Sequence, residues 1–97
     1  MTSLDQLLEK ELFNIQDLAE ITKRKTQTIR SWEKKGIILE ADHRGDNNWR
    51  LYSRLRMIDV LEKLLNYPWE RQVIKNKAEV QYAIDILKGN LANNEVN

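Results

Sequence analysis

The chain has no cysteine among its 97 residues. That excludes disulfides and thiolate-held metal, and it agrees with a reducing compartment. The one histidine, His43, stands in a polar stretch without a second histidine or a cysteine, so a zinc or copper site lacks its ligand set and His43 reads as a surface residue. No apolar run approaches the length that crosses a bilayer. Met1 to Lys10 include acids and lack the apolar core of a signal peptide. Together these absences predict a cytoplasmic protein with no metal, no cofactor and no membrane partner. Catalytic signatures are missing too: there is no phosphate-binding glycine loop, no dinucleotide fingerprint, no His-Glu-x-x-His and no plausibly spaced Ser/His/Asp set. Glu9, Glu11, Asp17 and Glu20 lie on helical patterns without a basic or histidine partner, as a solvated face does. The expectation is that the protein is not an enzyme.

Net charge is only +1, but it is unevenly placed. Residues 1–22 carry one lysine against five acids, and residues 57–97 carry five basic residues against six acids. Residues 23–56 carry ten lysines and arginines against four acids. A local basic surface attracts phosphates even on a nearly neutral molecule.

Proline occurs once, as Pro68, and glycine three times, as Gly36, Gly45 and Gly89. Each falls where a helical pattern breaks. Leu4, Leu7, Leu8 and Leu12 recur at helical spacing and predict a short N-terminal helix. Asn14 is a suitable N-cap for a helix to about Thr22, with Ile15, Leu18, Ala19 and Ile21 facing inward. Lys23 to Lys25 connect it to a second helix from about Thr26 to Lys35, which buries Ile29 and Trp32 and stops at Gly36. Ile37 to Leu39, a polar turn through Gly45, and the alternating Trp49, Arg50 and Leu51 predict a hairpin over 37–51. A helix over about 53–65 follows, with Leu55, Ile58, Leu61, Leu64 and Leu65 on its apolar side. Tyr67-Pro68-Trp69 breaks it, and a last helix covers about Arg71 to Lys88. Two short helices, a hairpin and a helix are the order of a winged helix-turn-helix. The predicted fold is therefore mostly α: a winged helix-turn-helix with a small two-stranded wing and a C-terminal helix.

Two helices joined by a tight turn let the second lie in a major groove of DNA while the first crosses the backbone. The second helix turns Gln27, Thr28, Arg30, Ser31, Lys34 and Lys35 outward, preceded by Lys25 and Thr26. Such side chains suit base edges and phosphates, although the same face alone is also what any solvated amphipathic helix presents. The hairpin adds Arg44, Asn47, Asn48 and Arg50 on and beside a projecting turn. Tyr52, Arg54 and Arg56 add donors at the start of the next helix, whose free N–H groups favour a phosphate. Trp32, Trp49 and Trp69 read as core and hairpin packing rather than as stacking platforms for bases, with Trp69 joining the two halves of the domain.

Three blocks, Asp17-Leu18-Ala19, Thr28-Ile29-Arg30-Ser31-Trp32-Glu33-Lys34-Lys35-Gly36-Ile37-Ile38 and Trp49-Arg50-Leu51-Tyr52-Ser53, occur in order and at suitable spacing. With them the stretch Ile15 to Leu65 resembles the DNA-binding domain of the MerR family of bacterial regulators. The resemblance implies that Arg30 holds a phosphate, that Gln27 and Thr28 face the groove, and that Arg50 and Tyr52 brace the wing and contact the backbone. The chain departs from the family pattern where Lys23-Arg24 replace Gly-Val in the turn, where Ser31 replaces the first aromatic of the recognition helix, and where Asn48-Trp49 replace Gly-Tyr. The proline expected after the Gly-Leu-Leu-like exit is also absent. Such departures imply a distant member, for instance from a phage or mobile element.

The sequence thus predicts a helical extension at 1–13, the winged domain at 14–66, a C-terminal helix at 67–90 and a disordered tail at 91–97. Ile74, Ala78, Val80, Ile84, Leu87 and Leu91 form a stripe on the last helix, which either packs on the domain or pairs with another copy. The expected partner is double-stranded DNA, bound by a homodimer or a head-to-tail oligomer. The expected function is a small transcription regulator, a repressor in preference to an activator, acting in the cytoplasm on the nucleoid. The alternatives are an excisionase-like DNA-bending recombination factor and a protein-interaction module that kept the fold and lost DNA.

Overall fold

The computed structural model describes residues 4–47 and 49–96, with side-chain surroundings through Gly89. Helix α1 spans Leu4–Leu7, strand β1 Leu12–Phe13, α2 Ile15–Thr22, α3 Thr26–Lys34, β2 His43–Arg44, β3 Arg50–Ser53, α4 Arg54–Asn66 and α5 Lys77–Val96. The molecule is mostly helical, with a small antiparallel sheet of strand order β1-β3-β2. This is compatible with a winged helix-turn-helix.

Each helix begins or ends for a local reason. Asn14 caps α2: its side chain accepts from the Asp17 backbone N–H, and the Asp17 carboxylate accepts in return from the Asn14 N–H, so two otherwise orphaned donors are satisfied. Lys10 Nζ reaches the same carboxylate at 2.7 Å. Helix α3 closes through Gly36, whose φ of +79° lies in the left-handed region open to a residue without Cβ. The Ile37 N–H then donates to the Trp32 carbonyl at 2.9 Å and the Gly36 N–H to the Glu33 carbonyl at 3.1 Å. Ser53 caps α4, its hydroxyl accepting from the Arg56 N–H at 3.1 Å.

Leu7, Leu8, Phe13, Leu18, Ile21 and Ile29 share one buried cluster with side chains from α4 and α5. On α4 the buried residues include Arg54, Met57, Ile58, Leu61 and Leu64, a three-four spacing that defines one face. Ile74, Val80, Ala83, Ile84 and Leu87 meet it from the C-terminal segment. Of the expected stripe, Ile74, Val80, Ile84 and Leu87 therefore cover the protein's own core, Ala78 is exposed, and the side chain of Leu91 lies outside the described residues. Trp69 closes the corner between α4 and α5: its indole N–H donates to the Leu64 carbonyl at 2.9 Å, and its ring lies 5.6 Å from that of Trp32. A tilted aromatic pair of this kind contributes about 0.5–1.5 kcal/mol beyond its buried area.

Several boundaries differ from the sequence-based expectation. The N-terminal helix stops at Leu7, because Leu12 and Phe13 pair instead with Ser53 and Tyr52 of β3 and Phe13 is wholly buried. The wing has two strands as expected, β2 and β3, and β1 adds a third to the sheet on the other side of β3. Ile37 to Leu39 form no strand: the left-handed turn at Gly36 sends Ile38 into the core, and no neighbour pairs with its backbone. Leu55 is 66% exposed, being one residue out of phase with the buried face of α4. Helix α5 begins at Lys77 rather than Arg71 and runs to Val96, through the segment expected as a frayed tail. The residues before it run non-helically, burying Ile74 and bringing Asn76 Nδ2 to the Ile21 carbonyl at 2.8 Å.

Candidate nucleic-acid interface

Helix α3 presents its two faces to different surroundings. Ile29, Trp32 and Glu33 are buried. Gln27, Arg30 and Lys34 are exposed, and Thr26, Thr28 and Ser31 are half-buried. Residues 27, 30, 31 and 34 follow the three-four spacing of a single outward stripe. The helix is nine residues, about 13 Å, long. Lys25 is exposed just ahead of it, at the N-cap position, without a capping side-chain bond.

The wing stands beside this stripe. His43 pairs with Leu51 and Arg44 with Arg50 in an antiparallel ladder, and the Gly45 N–H donates to the Trp49 carbonyl at 2.9 Å. A cleft of about 740 Å³ separates helix from wing. Arg30 and Lys34 line it from the helix, and Arg44, Trp49 and Arg50 from the wing, with Glu33 and Glu40 completing the wall. Among the described residues Arg30, Lys34 and Arg44 make no ion pair. Three cations with free donors around one concave surface form a place for an anionic strand.

Arg50 differs from those three. Its Nη1 pairs with Oε1 of Glu33, and the Tyr52 hydroxyl donates to the other carboxylate oxygen, Oε2, at 3.0 Å. Burial, with the Glu33 carboxylate alongside, holds the Tyr52 phenol above its ordinary range. Tyr52 thus stays a neutral donor throughout the working pH range. At the wing's base Asp42 accepts from the Ser53 N–H at 2.9 Å and from the Ser53 hydroxyl at 2.6 Å. Partial burial opposes ionisation there, but these bonds and that from His43 outweigh it and hold the Asp42 carboxyl at about 2.

Of the residues expected at a DNA surface, the structure brings Arg30, Lys34, Arg44 and Arg50 around the cleft, with Gln27 and Ser31 on the adjoining stripe. Asn47 is exposed on the turn but does not line the cleft, and Asn48 lies outside the described residues. Two expectations are corrected. Tyr52 is wholly buried, because residue alternation on β3 points it with Arg50 toward α3. Arg54 is only 7% exposed, and its Nη1 donates to the carbonyls of Leu8 at 2.8 Å and Lys10 at 2.5 Å. It ties the N-terminal segment to α4 and does not face solvent.

Trp49 also departs from its expected packing role: it is 61% exposed and borders the cleft. The sequence reading missed Glu33. Its signal was present, since positions 29, 32 and 33 share one helix face and a carboxylate on a buried face needs donors. Among the described residues no group of three His, Cys, Asp or Glu is placed to hold a metal ion, and no helix is long and apolar enough to cross a membrane.

No curated protein and no solved structure matches the chain. Residues 14–52, which hold α2, α3 and the wing as far as Tyr52, match the family model described as MerR family regulatory protein, and the match supports a DNA-binding regulator of MerR type.

Proposed function

We propose that the protein is a sequence-specific binder of double-stranded DNA and a small transcription regulator. In this reading α3 enters the major groove, with Gln27 and Ser31 toward base edges. The wing follows the backbone, and Arg30, Lys34 and Arg44 hold phosphates. The observation that carries the reading is the convergence of these three unpaired cations on one cleft between a helix and its wing. The family match over 14–52 supports the same conclusion independently. Repression is the sign we favour, because occupancy of an operator that overlaps a promoter needs nothing beyond a bound domain. It would act without catalysis, in the cytoplasm on the nucleoid. If two copies share a site, they meet through surfaces other than the buried stripe of α5.

The test is a polarisation titration against duplexes from the gene's own neighbourhood, at two salt concentrations, with random DNA as competitor. Competitor-resistant binding that weakens with salt supports the reading. Three phosphate contacts give a log–log salt slope near −3, at about 0.9 per contact. No binding, or binding abolished by random DNA, overturns it and favours a protein-interaction module. Footprint symmetry then separates an operator-bound regulator from an excisionase-like array.

A further inference from the structure

Glu33 sits on the recognition helix with its side chain only 6% exposed. Both of its carboxylate oxygens are taken, and both donors come from β3: Arg50 on Oε1 and Tyr52 on Oε2. Arg50 and Tyr52 are two residues apart on that strand, so the pleat aims both at the same face. One buried group thus joins the two elements that flank the cleft. The cross-link is chemically demanding. A buried carboxylate that loses its cation is strongly unfavourable. Were Arg50 to swing from Glu33 onto a DNA phosphate, the buried carboxylate would keep only the Tyr52 hydroxyl and would face that phosphate across the same cleft.

We propose that Glu33 is a positioning residue: it sets the distance between wing and recognition helix and holds Arg50 as a strut rather than as a phosphate ligand. This rests on the DNA-binding reading above. The phosphate ligands are then Arg30, Lys34 and Arg44, whose charges are free. Glu33 never touches DNA, and acts through the placement of Arg44 and Trp49 on the wing.

The experiment uses the full chain with Glu33→Gln, Arg50→Gln, the double variant, and Arg44→Gln as reference. Amide hydrogen exchange of the free protein is read across residues 43–53 and compared with α5. Exchange in the wing should rise roughly tenfold in each single variant while α5 is unaffected. Unchanged wing exchange overturns the strut, whether or not the protein binds DNA. DNA affinity is then titrated against salt. Glu33→Gln and Arg50→Gln should each weaken binding, roughly tenfold and by similar factors, with the wild-type salt slope. The double variant should be no weaker than either single one, as for two members of one linkage. Arg44→Gln should instead reduce the slope by about 0.9. An Arg50→Gln slope reduced by that amount, with full affinity in Glu33→Gln, would make Arg50 a phosphate ligand and overturn the proposal. Failure of the wild-type chain to bind any duplex would sink the DNA reading alone, and the exchange data would still decide the linkage.

Discussion

Arg44 stands directly opposite Arg50 in the wing ladder, so two guanidinium-bearing residues of like charge face each other across a two-residue strand. Only Arg50 has a carboxylate partner. Directly opposed like charges cost about 0.2–1 kcal/mol in an antiparallel pair. Arg44→Gln is therefore expected to change stability and binding in opposite senses. Its midpoint in urea should rise by a small amount, while its affinity for DNA falls and its salt slope becomes shallower. A variant that loses stability together with affinity would mean that Arg44 serves the fold rather than the ligand.

Arg54 offers the reverse test. Its guanidinium is enclosed, with Nη1 on two carbonyls of the N-terminal segment and Nε and Nη2 buried without a partner. Arg54→Met should destabilise the protein by about 2 kcal/mol, through lost charge-assisted bonds and two stranded carbonyls. At a temperature where the variant remains folded, the salt slope of DNA binding should equal that of wild type. Denaturant melts and a salt titration check both halves. A slope reduced by one phosphate contact would return Arg54 to the DNA surface.

Lys23 ends α2 with φ +58°, ψ +33°, the only non-glycine residue of positive φ among those described. A residue with a Cβ pays roughly 1 kcal/mol for that conformation. Lys23→Gly should raise the thermal midpoint, and Lys23→Val should lower it by more than Lys23→Gly raises it, because β-branching crowds the left-handed region further. Equal midpoints for the three proteins would show that the turn relaxes at no cost.

The Asp42 carboxyl lies at about 2, against an ordinary value of 3.8. Its folded-state value is the lower one, so ionised Asp42 favours the folded state. That contribution is complete above the ordinary value and is lost as pH falls from about 4 through about 2. Asp42→Asn should therefore be less stable than wild type at neutral pH, and the gap should narrow across that acid window. Carboxyl chemical shifts followed against pH, with melts of both proteins, provide the check. A gap that is constant with pH would remove the Ser53 bonds as its source.

Much of this arrangement was legible in the sequence because it is local. The Asn14 cap, the Gly36 stop, the Ser53 start and the outward stripe from Gln27 to Lys34 all follow from spacing within one turn or two. What escaped was long-range. Nothing near Leu12 announces that it will leave its helical register to pair with Ser53, forty-one positions away. Leu55 looks apolar enough for the core, but its phase is set by where α4 meets its neighbours. Tyr52 and Arg54 carry polar groups suited to a phosphate, and only the sheet and the N-terminal segment turn them inward. Glu33 is the intermediate case: its burial was readable from Ile29 and Trp32, but its donors lie seventeen and nineteen residues downstream.

Strand β1 gives the recognisable module and the folding module different borders. The family match begins at Asn14 and ends at Tyr52. A fragment cut at those limits would lose β1 from the sheet, and with it the buried ring of Phe13 and one side of Tyr52's strand. It would also part Trp32 from Trp69 and strip α4 and α5 from the faces they cover. Transplanting the surface formed by α3 and the wing onto another scaffold would therefore require carrying over β1 ahead of it and the helices behind it. The portable unit is close to the whole described chain, of which the matched segment is the legible centre.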